Sequence, residues 1–251
     1  MSKNLIYTVA VNHETSQFKN TDYSQYCLMS WEKWCKKRNI DFLVIDTHEP
    51  NFKYPHWDKY TIFNHIDNEY EKIGLVDSDT MVHWDAPNPF DLYNDEWCWV
   101  KDLSNLRWTS KSIENYNRFY SEEKLDIYDY YNSGVCFFTK EHKIIFDNLI
   151  KLYKINKESL DDMATWGGGK DQTLLNYELK KQKIKVKELS SQWNMFAMHK
   201  KEMFNHNWQD GNDKTPFFIK YSWVWHFTGF PIEQRTDIMK QTWDLIGGNY
   251  G

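Results

Sequence analysis

The stretch Lys72-Ile73-Gly74-Leu75-Val76-Asp77-Ser78-Asp79-Thr80-Met81-Val82 decides how the rest of the chain reads. The run from Ile73 to Val76 is short and apolar, as in a strand buried on both faces. Two carboxylates follow, one residue apart. On an extended chain residues i and i+2 point to the same side, so Asp77 and Asp79 are expected to converge at the strand's C-terminal end. Open α/β sheets place ligands at that edge. Two adjacent carboxylates repel unless a cation lies between them, and hard oxygen donors suit Mg²⁺ or Mn²⁺. A divalent ion held by few side chains keeps positions open for a substrate's phosphates. The plainer alternative is a strand-end turn with two solvated carboxylates.

The 251 residues suffice for one large or two small domains with a sizeable core. A formal charge of −5 carries no basic excess, which argues against nucleic acid as the main partner. No apolar run approaches the ~20 residues that span a bilayer, and the first residues show no apolar signal-peptide core. The four cysteines have no metal-site spacing, and a reducing cytoplasm is the expected location. Aromatic residues make up 18% of the chain, which adds modestly to an expectation of sugar or base stacking.

Outward from the central stretch, Leu5–Val11 is β-branched and aromatic, the pattern of a first strand. Tyr23, Tyr26, Cys27, Trp31 and Trp34 recur at helical spacing, with Asp22 as expected N-cap and Lys36-Lys37-Arg38 at the favourable end. Asp41–Asp46 reads as a second strand. Strand, helix and strand within about 45 residues make a parallel βαβ unit. A helix is expected over Pro55–His65, a strand at Trp97–Val100, and irregular helices over 103–130. Tyr131–Phe138 reads as a turn entering a strand, and Glu141–Ile155 as an amphipathic helix. A glycine loop, Gly167-Gly168-Gly169, opens a helix over Gln172–Lys180 and is expected to be mobile and to order around a ligand. Ile184–Leu189 and Trp223–Gly229 read as strands. With no linker or repeat in view, one domain is expected over 1–251.

The order of these motifs resembles glycosyltransferases of the GT-A fold, most closely family 8, the glycogenin and lipopolysaccharide galactosyltransferase type. Leu75-Val76-Asp77-Ser78-Asp79 is similar to that family's metal strand, and Tyr131-Asn132-Ser133-Gly134-Val135 to its Asn-x-Gly-Val motif. Lys170-Asp171-Gln172 through Asn176, Gln192-Trp193-Asn194, and Trp225-His226-Phe227-Thr228-Gly229 are similar to later landmarks. The resemblance covers about residues 3–230. It implies a single GT-A domain with a central, mostly parallel sheet flanked by helices. A nucleotide-binding half would span about 1–102 and an acceptor-side half about 103–251.

The resemblance also implies roles. Asp77, Asp79 and His226 would bind Mn²⁺ (or Mg²⁺), and an O,O,N donor set favours Mn²⁺. Val9, Ala10, Val11 and Asn12 would border the uracil and ribose of a UDP-sugar. Lys59, Ser78 and Gly229 would face the nucleotide. Asp102, Asn132, Asp171 and Gln172 would line the donor sugar, with Gln172 supporting the reacting carbon and Asp171 a second catalytic candidate or a helix N-cap. In the family, a lysine that contacts the diphosphate follows the last motif. Here Phe230, Pro231 and Ile232 follow Gly229, leaving Lys170, Lys59 or Arg235 as substitutes.

The implied activity is metal-dependent transfer of a sugar to a hydroxyl on a glycan, a lipid-linked sugar or another acceptor, with retention. An inverting enzyme would need a carboxylate base, for which Asp171 could serve. A sugar nucleotidyltransferase would usually carry a glycine-rich basic loop after the first strand, which His13-Glu14-Thr15 does not resemble. A non-catalytic sugar-binding protein would release no UDP. If the donor set is as implied, turnover of a UDP-sugar will need a divalent ion and run faster with Mn²⁺ than with Mg²⁺. Full activity in excess EDTA would contradict this.

Overall fold

The computed structural model describes residues 3–13, 21–67, 69–163 and 170–247. Six strands form the main sheet: β1 (Lys3–Val9), β2 (Asp41–Ile45), β3 (Tyr70–Val76), β5 (Trp97–Lys101), β6 (Tyr131–Thr139) and β7 (Val186–Glu188), in the order β2-β1-β3-β6-β5-β7. β1 pairs parallel with β2 and β3, and β5 with β7. Only β6 is reversed, antiparallel to both β3 and β5. A second, two-stranded sheet pairs β4 (Thr80–Val82) with β8 (Val224–His226). The expected aromatic strand near residue 225 therefore exists, but in this small sheet.

The strands are apolar on both faces because helices cover both. Leu5, Tyr7, Ile73 and Leu75 belong to one buried cluster, and Ile6 and Val76 to the other, as the two-residue pleat requires. The first cluster is closed by α3 (Lys143–Met163) and α4 (Lys170–Lys181), which supply Phe146, Leu149, Leu174 and Leu175. The second is closed by α1 (Ser24–Arg38) through Trp31 and Trp34, and by α6 (Ile232–Leu245) through Met239 and Trp243. Trp31, Trp34, Trp97, Trp99 and Trp225 are fully buried, so much of the aromatic content is core. α2 (Leu106–Tyr116) and the short α5 (Phe217–Tyr221) complete the set.

Several expectations change. The helix at 55–65 is a 3-10 helix, Pro55–Asn64. Asp22 does not cap α1: Tyr23 holds that position with no side-chain cap, and Asp22 offers only its carbonyl to Gln25. The stretch Tyr131–Phe138, expected to open as a turn, is strand from its first residue, since Lys101 pairs with Tyr131 and Val100 with Asn132. α3 continues to Met163 through a kink at Asn156, because its apolar face goes on to bury Leu160 and Met163. The glycine loop at Gly167–Gly169 lies outside the described residues.

Two features direct the chain toward one edge. Strands β1, β2 and β3 end there, and the reversed β6 begins there, with Val135 opposite Val76. Just beyond, the chain turns from β3 into β4, and α1 clamps the turn. Trp31 Nε1 donates to Thr80 Oγ1 (3.0 Å), and Thr80 Oγ1 donates to the Asp77 carbonyl (2.7 Å). Thr80 is fully buried. Thr80→Val keeps the shape but strands the indole N–H, at a cost of about 1–3 kcal/mol. Urea unfolding should show that loss, and a variant as stable as wild type would contradict the clamp.

Candidate active site

Asp77 and Asp79 do converge, though not through a strand pleat. They sit on the turn between β3 and β4, closed by Thr80 N donating to the Asp77 carbonyl (3.0 Å). Thr80 pairs with His226 across the small sheet, and Phe227 N donates to the Asp79 carbonyl (2.9 Å). The C-terminal strand thus places His226 beside both carboxylates. Ligand atoms of Asp77, Asp79 and His226 lie within 4.8 Å of one another, the only His, Cys, Asp or Glu trio so grouped among the described residues. His226 Nε2 is 3.1 Å from Asp79 Oδ1 and 3.9 Å from Asp77 Oδ2.

The far side of His226 is fixed by a chain of amides. Its Nδ1 lies 3.0 Å from Asn194 Oδ1, and Asn194 Nδ2 donates to Asn132 Oδ1 (2.9 Å). Since that Oδ1 can only accept, Nδ1 donates to it, which turns Nε2 toward the carboxylates, the orientation of a metal-ligating histidine. The donor set therefore fits a divalent ion. Asn132 Nδ2 donates in turn to Asp102 Oδ2 (3.3 Å), and so does Gln172 Nε2 (3.3 Å). Gln172 Oε1 accepts from Ser133 N (3.1 Å). Asp102, Asn132 and Gln172 are thus one network that ends at the imidazole.

Gly134 allows this closeness. Asp77 N donates to its carbonyl (2.7 Å). A Cβ at this position would fall 2.1 Å from His226 Cε1 and 2.9 Å from Asp77 Oδ2.

Two cations, Lys59 and Arg235, balance the acidic floor. Lys59 Nζ is 3.2 Å from Asp77 Oδ1 and 3.0 Å from Asp171 Oδ2. Tyr60 also donates to Asp171 Oδ2 (3.0 Å). Arg235 Nη1 is 2.9 Å from Asp79 Oδ2. Burial works against charge at Asp79, but His226 and Arg235 outweigh it and hold the carboxyl well below its ordinary range. Burial likewise opposes charge at Asp171, and Lys59 reverses the balance, so its pKa is lowered. Lys170, at the start of α4, is pulled down by burial against the pull of Asp171.

These groups surround a cleft of about 460 Å³. Of the residues expected at a donor site, Val9, Lys59, Asp77, Ser78, Asp79, Asp171 and Gln172 line it. Asp102, Asn132 and His226 stand behind the wall, joined to it by the bonds above. Ala10, Val11, Asn12 and Gly229 do not line it. Ala10 N is bonded to the Ile45 carbonyl (2.9 Å), Val11 is buried, and Asn12 Oδ1 accepts from Thr21 Oγ1 (2.8 Å). Gly229 holds a left-handed φ of 83°, suited to glycine. Asp171 is the second residue of α4, inside the helix and not its cap.

Sequence reasoning missed Tyr23, His56, Trp108 and Ile232 in the cleft lining, and the brace from Tyr60. It quoted Asn194 and Gly134 within motifs without giving either a task. Burial pushes the His56 imidazole down to about 3, so it faces the cleft uncharged at neutral pH.

Neither a protein-family model nor a curated protein matches the sequence. Solved structures do. The chain is similar to a glycosyltransferase involved in glycosylation of the major capsid of PBCV-1, at 14% identity and a TM-score of 0.60, covering 95% of this chain and 99% of that one. It is similar to the galactosyltransferase LgtC, solved with donor and acceptor sugar analogues, at 14% identity and a TM-score of 0.55, covering 96% and 99%. It is also similar to the bifunctional glycosyltransferase WbbM at 14% identity and a TM-score of 0.58, covering 98% of this chain and 51% of that one. The architecture is the GT-A glycosyltransferase fold. Within that class the neighbours agree with the family 8 resemblance carried by the motifs.

The glycine argument can be checked directly. In Gly134→Ala the new methyl must displace His226, so divalent-ion affinity should fall about 10- to 100-fold, as for other losses of ligand support. Calorimetric titration of wild type and variant would show it, and equal affinities would remove the role given to this glycine.

Proposed function

We propose that the chain is a metal-dependent glycosyltransferase that moves a sugar from a UDP-linked donor to a hydroxyl acceptor with retention of configuration. The observation that carries this is the meeting of Asp77, Asp79 and His226 within 4.8 Å at a cleft also lined by Lys59, Lys170 and Arg235. Ion ligands beside clustered cations suit a diphosphate, whose negative charge grows as the bond to the sugar breaks. Mn²⁺ on Asp77, Asp79 and His226 would supply a Lewis acid for the diphosphate oxygens.

The residues divide the remaining work. Lys59 and Arg235 hold the floor's carboxylates and bring positive charge to the phosphate side. Gln172, pinned between Ser133 and Asp102, presents a fixed amide dipole to the donor sugar. In the transfer, the bond from the anomeric carbon to the diphosphate oxygen breaks and the electron pair leaves with the phosphate. The acceptor oxygen bonds to that carbon from the same face, and its proton passes to the leaving phosphate.

The state of Asp171 supports retention. The carboxylates among the described lining residues are Asp77, Asp79 and Asp171. The first two form the ion site. Asp171 is tied to Lys59 and Tyr60 with a lowered pKa, which makes it a poor proton acceptor and suits it to positioning Lys59. The proposal includes one GT-A domain over 1–251, with a donor half over about 1–102 and an acceptor half over about 103–251. It also includes a cytoplasmic setting, supported by four buried free cysteines. No helix among the described residues is long and apolar enough to cross a membrane.

Two variants separate binding from chemistry. Asp79→Asn weakens the ion site, so Mn²⁺-dependent UDP affinity and turnover should both fall. Gln172→Ala spares the ligands and should leave UDP affinity nearly unchanged while kcat drops about 10²-fold or more. Calorimetry beside steady-state kinetics with UDP-sugars checks both. If Asp79→Asn binds UDP and Mn²⁺ like wild type, the ion site is misassigned. Normal turnover by Gln172→Ala would place the reacting centre elsewhere.

A further inference from the structure

Arg235 lies on the first turn of α6, and its position on Asp79 is unusual. The two carboxylate oxygens of Asp79 are divided: Oδ1 faces His226 Nε2 at 3.1 Å and Oδ2 faces Arg235 Nη1 at 2.9 Å. The guanidinium carbon sits 4.9 Å from the Tyr23 ring centre, and Nη2 donates to the Phe230 carbonyl (3.1 Å). Its Nε–H is buried without an acceptor. Arg235 also lines the cleft. A guanidinium presents five N–H donors in a flat fork matched to phosphate. Here it spends its charge on a carboxylate that the ion site also needs.

A divalent ion at Asp79 and a guanidinium on the same carboxylate repel each other and draw on the same negative charge. Arg235 therefore opposes an ion that arrives alone. A diphosphate arriving with the ion supplies new negative charge and gives the fork a partner. We propose that Arg235 exchanges Asp79 for the diphosphate of the donor, and so makes ion and nucleotide bind as a pair. This rests on the donor-site reading above. The effect is reciprocal, since the same coupling acts whichever ligand binds first.

The signature is a pair of opposite changes, both read by binding. Calorimetry would titrate Mn²⁺ alone, and then UDP at saturating Mn²⁺, into wild type, Arg235→Met and Arg235→Lys. Arg235→Met should bind Mn²⁺ alone more tightly than wild type. It should bind UDP with Mn²⁺ about tenfold more weakly, the scale of one charged hydrogen bond. Arg235→Lys keeps the charge and loses the fork. It should hold Mn²⁺ as wild type does and UDP more weakly, and it carries the test alone if Arg235→Met does not fold. Unchanged constants in both variants, or Mn²⁺ and UDP affinities of Arg235→Met falling together, would overturn the exchange while leaving the donor site in place. Wild-type protein that takes up neither Mn²⁺ nor UDP overturns the donor-site reading and the exchange with it.

Discussion

Everything at the sheet's edge depends on matching the charge of three carboxylates crowded together there. Asp77, Asp79 and Asp171 face one cleft, and carboxylates that close repel unless matched. Lys59 joins two of them, and Arg235 and His226 share the third. These partners come from parts of the chain that have no local reason to meet: a 3-10 helix, the first turn of α6 and the last strand of a separate small sheet. The packing of both cores around the sheet brings them into register. A buried ion pair adds little to stability on its own, and breaking one leaves an uncompensated charge. The cluster is better understood as a requirement that the fold must meet than as its driving force.

The reversed strand β6 is the second constraint. In a fully parallel sheet only strand ends would border the cleft. Because β6 runs backwards, its beginning lies among those ends and brings Asn132, Ser133 and Gly134 to the candidate ion site. Gly134 then meets the imidazole at a distance no side chain could tolerate. Asn132, through Asn194, sets which imidazole nitrogen faces the carboxylates. One change of strand direction thus serves both shape and electronics.

How much of this was legible in the sequence varied with the range of the interaction. The first βαβ unit was legible because strand and helix periodicities are local. So were Asp77 and Asp79, although the reason offered was wrong: a turn closed by Thr80 brings them together, where a pleat had been expected. His226 became visible only through the order of motifs, since an isolated histidine in an aromatic strand says nothing about what stands opposite. The pairing of Arg235 with Asp79 could not be read, because helix α6 carries no signal of the element it packs on. Asp22 looked like a cap by residue type, and Tyr23 stands at the position instead. The tryptophans suggested ligand stacking by their abundance, and most of those noted above went to filling the cores.

The pairing of Thr80 with His226 also bears on the order in which the molecule can become itself. Contacts distant in sequence require a long loop to close before they return any stabilisation, and they tend to form late. On the ribosome the acidic turn emerges well before its imidazole. Until then the two aspartates have no histidine, and Asp79 lacks Arg235 as well, since both lie far downstream of the turn. Between those two moments the growing chain carries the candidate ion site incomplete. Completion of the site and arrival of β8 are one event, and the same segment brings Trp225, Met239 and Trp243 to the core that α6 closes, so site and core are finished together.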